Sequence, residues 1–391
     1  MTADRAPLTG PAGVPRRPTR RDWAAGLAMS VALGWTFTCT GAAALPLSEE
    51  LDVGLGVVGL FTTAFLIAEA LVSVPGGRLC DRLGARRVGM VGTALMAAGS
   101  ALASIAPEAW LILAARAVTG VGTGLAYVAV VAWLRGAGAL AQGLVGGCAL
   151  AGAGVAVALV PRLGGALGWR APFVPELALA AAAVALAALA PTGRPAPPRR
   201  DASLRQLLRH PLVWRYGAMA SFSFGASFAV GAWIVPLFTQ SDGFSAEAGA
   251  LAGSLILFGG ILTRPLGGAL VRRRPGLAWP LMVVSIAAGA AAVLVMAFDP
   301  GAAASTAAAL VLGLAAGLPY GATTAGAMTA FPGEPGEAVA VTIALSVYFG
   351  VAVVFLLGLA FGAGEGPLGF GILAAALLAL LPAAPRPRRV G

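Results

Sequence analysis

Three charged residues, Glu69, Arg116 and Arg264, lie inside long apolar runs of this chain. A charge held in hydrocarbon costs about 2.5 to 3.5 kcal/mol on insertion scales, so each is a candidate for function before it is a candidate for structure. An arginine shielded from water presents a planar fork of donors that matches a carboxylate or another oxyanion. A buried glutamate offers a carboxyl that can exchange a proton, and Glu69 is the acidic residue assigned to that role here. Two tyrosines can add hydroxyl donors to the anion: Tyr127 ends the stretch Gly120-Val-Gly-Thr-Gly124-Leu-Ala-Tyr127, and Tyr320 ends Gly313-Leu-Ala-Ala-Gly317-Leu-Pro-Tyr320. Glu69 and Arg264 are equally able to form a structural ion pair, and either tyrosine can be ordinary packing. Cys39, Cys80 and Cys148 stand alone, with no spacing that implies a metal site or a disulfide framework. With no nucleophile beside a base and no glycine-rich phosphate loop, there is no reason to expect an enzyme or a cofactor.

The elements that position these residues must lie in lipid. The 391 residues are 59% hydrophobic and 11% charged, with a mean hydropathy of +0.88, against about 25% charged residues in an average soluble domain. Twelve helical spans of about 20 residues use about 240 residues and leave room for short loops. The apolar runs place them near 23–47, 55–76, 88–106, 110–133, 141–165, 172–191, 214–238, 247–270, 278–298, 304–330, 338–362 and 368–384. The first run is too long for the core of a cleaved signal peptide, so it is expected to be retained.

Charge in the joints tests that count. One set of joints carries Glu49, Glu50, Asp52, Glu108, Asp242, Glu247, Asp299 and Glu365. The alternate joints and both tails carry Arg78, Arg82, Arg86, Arg87, Arg135, Arg194, Arg199, Arg200, Arg205, Arg209, Arg272 to Arg274, Arg386, Arg388 and Arg389, with Arg170 the one plain exception. All 26 basic residues are arginine and the formal charge is +10. Placed beside membranes, these arginines face anionic lipid headgroups, and nucleic acid is not an expected partner. The excess of arginine on one side predicts that both termini are cytoplasmic, in the plasma membrane.

The chain also repeats itself. Tyr127 and Tyr320 are related by 320 − 127 = 193 residues, and so are the glycines that precede them. The spacing from Pro46 to Gly77 returns, within one residue, from Pro236 to Gly268. The expected organisation is a cytoplasmic tail (1–22), a six-helix half (23–191), a cytoplasmic linker (192–213), a second six-helix half (214–384) and a short tail (385–391). The linker holds the sole histidine, His210, read as a solvated loop residue, and allows a short amphipathic helix at 202–209. Duplicated halves place a binding site between them near the bilayer midplane, reached from either side as the halves rock.

The second basic joint is more specific. Gly77-Arg-Leu-Cys-Asp81-Arg82-Leu-Gly84-Ala-Arg86-Arg87 fits G-x-x-x-D-R-x-G-x-R-R and resembles the loop between spans two and three of the major facilitator superfamily. That resemblance covers the whole chain. It implies an all-α membrane fold of twelve helices in two pseudo-symmetric halves, and a cytoplasmic latch formed by Gly77, Asp81, Arg82, Gly84, Arg86 and Arg87. The second-half copy, Gly268-Ala-Leu-Val-Arg272-Arg273-Arg274, has arginine in place of the aspartate. Arg116-Ala-Val-Thr-Gly120-Val-Gly122 resembles the superfamily's R-x-x-x-G-x-G element, which implies a part for Arg116 in proton movement. Arg264-Pro-Leu-Gly267-Gly268 resembles the R-x-x-G-G element of the nitrate/nitrite and cyanate-type porters. Those porters carry a second arginine in span two. Counting back 191 residues from Arg264 reaches Ser73 instead, which makes Ser73 a candidate substrate contact with no charge.

At about 1.5 Å per residue, Glu69, Tyr127 and Arg264 fall about 10 to 12 Å from the inner boundary, Tyr320 about 16 Å and Arg116 about 27 Å. The first four can share a layer and Arg116 cannot. The preferred reading is a monomeric secondary transporter of a small polar solute, a small anion bound by Arg264, Tyr127, Tyr320 and Ser73, with Glu69 and Arg116 coupling protons. Two alternatives stay open: a proton-driven exporter of amphipathic compounds, and a non-transporting scaffold or receptor on the same fold.

Overall fold

A computed structural model describes residues 18–134, 138–191, 204–240, 244–298, 301–331 and 335–385. The first 17 residues, most of the linker and the last six residues lie outside them. Helix α1 (Arg20–Ala42) bends by 58° into α2 (Ala44–Glu50). There follow α3 (Leu55–Leu83), α4 (Ala85–Ile105), α5 (Ala109–Leu134), α6 (Gly138–Leu167) and α7 (Phe173–Leu189). Beyond the linker come α8 (Leu204–Arg209) and α9 (Pro211–Ala220), then a π-helical segment (Ser221–Ala226) that runs into α10 (Ser227–Gln240). The chain closes with α11 (Ala246–Arg273), α12 (Ala278–Ala297), α13 (Ala302–Ala330), α14 (Pro335–Gly362) and α15 (Gly366–Leu378).

Among the described residues, ten spans are long and apolar enough to cross a membrane, with α9, the π segment and α10 counted as one; the bent pair α1–α2 and the 17-residue α7 account for the other two of the twelve expected positions. The first helix starts earlier than its apolar run. Thr19 caps it, with Asp22 accepting from the Thr19 amide at 2.7 Å, and the buried Asp22 also accepts from Trp133 Nε1 at 3.1 Å. His210 likewise caps α9, its ring accepting from the Leu212 amide at 3.3 Å. The linker end assigned to solvent is therefore the start of a helix.

Packing partners recur between the two sets of helices. In the first set α5 packs on α3 and α4, α7 on α4, and α6 on α1; in the second α13 packs on α11 and α12, α15 on α12, and α14 on α9–α10. The repeated glycines explain two of these crossings. A Cβ on Gly120 would collide with the Phe65 carbonyl of α3, and one on Gly313 with the Ile256 carbonyl of α11, so only glycine permits either approach. Helix ends repeat as well. Arg21 donates to the Leu189 carbonyl at 3.3 Å, and Arg215 donates to the Ala383 carbonyl at 3.1 Å; donor and acceptor are both displaced by 194 residues (215 − 21 and 383 − 189). Each guanidinium satisfies carbonyls left open by the last turn of a helix.

The two sets meet through α6 on α11, α3 on α14 and α1 on α10. On the side of the acidic joints the contact is tight. A Cβ on Gly41 would strike the Ala232 carbonyl, and Gly59 and Gly358 pack against Trp233, whose ring stacks on Phe361 at 4.9 Å.

Candidate functional site

Arg264 sits where the two sets of helices meet and is 2% exposed. Its helix carries Pro265, which has no amide hydrogen to donate to the preceding turn. Nη1 reaches the Gly146 carbonyl of α6 at 3.3 Å, and Nη2 reaches the Ser223 carbonyl in the π segment at 3.4 Å. Both distances lie past the usual range of about 2.7 to 3.2 Å for such bonds. Nε has no partner. A guanidinium has five donor hydrogens, and here they meet two long contacts and no carboxylate among the described residues. Its flat face lies over the Tyr320 ring at 4.2 Å and within 5.9 Å of Phe224.

The tyrosines expected to share a layer do so. Tyr320 on α13 lies under the Arg264 guanidinium at 4.2 Å, and Tyr127 on α5 approaches from the other set of helices, its ring 6.4 Å from that of Phe224. Glu69 is 2% exposed, and its Oε2 has no hydrogen-bond partner. It makes no ion pair with Arg264, so the structural pairing allowed by the sequence is not what holds either group. Ser73 is different. Its hydroxyl donates to the Glu69 carbonyl one turn back at 2.7 Å and is occupied by its own helix.

Gly146 and Ser223 were invisible to motif reasoning. A Cβ on Gly146 would lie 3.0 Å from Arg264 Nη1 and 3.4 Å from the Tyr320 hydroxyl, so this glycine keeps space open beside the guanidinium. Ser223 belongs to the π segment, whose wide turn shifts the register of the helical bonds, and its carbonyl accepts at 3.4 Å from both Arg264 Nη2 and Ser227 Oγ. Its own Oγ is buried without a partner.

Arg116 belongs to a second, separate cluster. It is fully buried and pairs with Glu176 of α7 at 3.3 Å, donates to the Thr36 carbonyl at 2.8 Å and stacks over Phe65 at 4.7 Å. Thr36 donates to the other Glu176 oxygen at 2.5 Å, and the Cys39 thiol approaches Glu176 at 3.7 Å. Assigning Glu69 as the acidic residue within a span therefore needs correcting: Glu176 is another, four residues into the run at 172–191, and it occupies Arg116. The structure does not bring Arg116 to Glu69.

Of the latch residues, Gly84 adopts φ 87° at the reversal from α3 to α4, a backbone that favours glycine. Arg86 donates to the Ala187 and Ala188 carbonyls at the end of α7, at 2.8 and 2.9 Å. Arg82 and Arg87 are exposed. A Cβ on Gly77 would meet only Val128 at 3.8 Å, an ordinary contact, so close approach is not what this position requires. The side chain of Asp81 lies outside the described residues.

The sequence matches the family model described as Major Facilitator Superfamily over residues 24–355. The chain belongs to the Major Facilitator Superfamily. No curated protein matches it significantly. Among solved structures, that of a point mutant of the nucleoside transporter NupG superposes with a TM-score of 0.73 at 13% identity, covering 93% of this chain and 98% of that one. At that identity the likeness speaks for the fold alone. As a superfamily member the protein is an integral multi-pass membrane transporter rather than an enzyme, and its substrate is a small molecule.

Proposed function

We propose that the protein carries a small anion across the plasma membrane by alternating access, as a monomer with both termini in the cytoplasm, and that Arg264 binds the anion with Tyr127 and Tyr320. The observation that carries this reading is the buried guanidinium with five donors and two long contacts to carbonyls. Burying a charge so poorly satisfied is costly unless a ligand completes it. The tyrosines come from opposite sets of helices, so a ligand between them feels both halves and its binding depends on how they are arranged. Glu69, buried with an unpartnered oxygen near the same layer, is the proposed proton carrier. Arg116 is withdrawn from that role by its pairing with Glu176. Gly77, Asp81, Arg82, Gly84, Arg86 and Arg87 form the proposed latch on the cytoplasmic face.

NupG is a nucleoside transporter. A neutral nucleoside would leave the Arg264 charge uncompensated, which favours an anion for this chain. Binding of formate to the purified protein tests the site. Removing a charged hydrogen-bond partner costs about 1.5 to 3 kcal/mol, or about 10- to 150-fold in affinity. Arg264→Gln should weaken formate binding by that factor and Arg264→Lys by less, since lysine keeps the charge and loses the fork. Equal affinity in all three proteins rejects the anion site.

A further inference from the structure

Resting on the anion site above, we infer that its substrate is an amphipathic organic monoanion, with one carboxylate on Arg264 and a flat apolar body held between aromatic rings from both halves of the protein. Charge sets the first part. Among the described residues the polar layer contains one arginine and one glutamate, and Ser73, the repeat-related position where a second cation could stand, has committed its hydroxyl to its own helix. One planar fork suits one carboxylate better than a multiply charged anion.

The surroundings set the second part. Beyond Phe224, which separates it from Arg264, a closed seam of about 10 Å³ lies between the halves, lined by Phe37, Leu66, Phe224, Phe228, Val347 and Val354. Phe37 of α1 meets Phe228 at 4.6 Å and Phe224 at 5.8 Å, and Phe224 meets Phe228 at 4.6 Å. Phe224 links the two regions, lying within 5.9 Å of the guanidinium and 6.4 Å of the Tyr127 ring. A small hydrated anion on Arg264 would turn its far side toward rings and aliphatic carbons, which cannot replace the water it loses. An apolar body gains from the same surface, and flat rings stack on Phe and Tyr faces. The rings touch one another in this conformation, so the body of the ligand is seated as the halves part.

Two unpartnered groups belong to this region: Arg264 Nε, and the Oγ of Ser223, whose carbonyl meets Arg264 Nη2. Phe224 and Ser223 belong to the π segment, so the same wide turn supplies one wall of the apolar part and one donor to the polar part.

The test compares four probes on the full-length protein in detergent by calorimetric titration: benzoate, formate, nitrate and benzamide. The expected result is benzoate binding at least 10-fold tighter than formate or nitrate, with benzamide, the neutral counterpart, at least 10-fold weaker than benzoate. Phe228→Ala, and the milder Phe228→Leu, should weaken benzoate at least 5-fold more than formate. Formate or nitrate binding as tightly as benzoate overturns the amphipathic substrate and leaves the anion site standing. Benzamide binding as well as benzoate, no binding of any probe, or benzoate binding unchanged in Arg264→Gln overturns both.

Discussion

At the scale of the residue, the informative quantity is what a buried charge lacks. Arg116 and Arg264 are both hidden from solvent, and position within an apolar run assigns a function to each. Nε is unpartnered in both, but Arg116 has the Glu176 carboxylate, the Thr36 carbonyl and the Phe65 ring, whereas Arg264 has two long contacts to carbonyls and no carboxylate among the described residues. Depth along the helix separated them correctly, but satisfaction of their donors could not be read from spacing. Glu69 presents the matching case among acids. If it takes a proton on one side and releases it on the other, Glu69→Gln should still exchange substrate across a vesicle membrane and fail to accumulate it against a proton gradient. Accumulation at the wild-type level by that variant would remove Glu69 from coupling.

At the scale of the element, the Arg116–Glu176 cluster ties α1, α5 and α7 together inside the first set of helices. Breaking a buried pair by removing one partner costs about 3 to 5 kcal/mol, whereas replacing both with apolar residues of similar volume costs far less. Arg116→Met alone should therefore lower the thermal midpoint of the protein in detergent markedly, and Arg116→Met combined with Glu176→Leu should recover most of the loss. A single variant as stable as wild type would contradict the clamp.

Legibility also divides at this scale. Apolar runs and alternating arginine located the helices, because lipid demands about 20 apolar residues per helix and charge sorts the joints. The tyrosine layer was readable because duplication placed Tyr127 and Tyr320 at equivalent positions of the repeat. The π segment, the bend between α1 and α2 and the early start of α1 were not readable. A wide turn and a bend arise from tertiary packing, and Asp22 looks like a tail residue until Trp133 is brought against it. Glu176 was legible in principle as a charge within an apolar run.

At the scale of the molecule, the halves are closed against each other on the side of the acidic joints, through Gly41 on Ala232 and Gly59 and Gly358 on Trp233. On the proposed topology that side is the exterior. A cycle then requires those contacts to part while the cytoplasmic ends close, which is the step assigned to the α3–α4 reversal. Asp81 is the acidic residue of that arginine-rich joint, so Asp81→Asn should leave insertion and thermal stability unchanged and slow flux at least 10-fold in reconstituted vesicles. Wild-type flux would take Asp81 out of the cycle.

The central claim, a transporter whose anion site is Arg264, is tested most directly by uptake into vesicles reconstituted with purified protein. Wild type should take up labelled benzoate saturably and labelled uridine not at all, and Arg264→Gln, inserted to the same level, should carry neither. Uptake of uridine by both proteins, or of benzoate by Arg264→Gln at the wild-type rate, would contradict it.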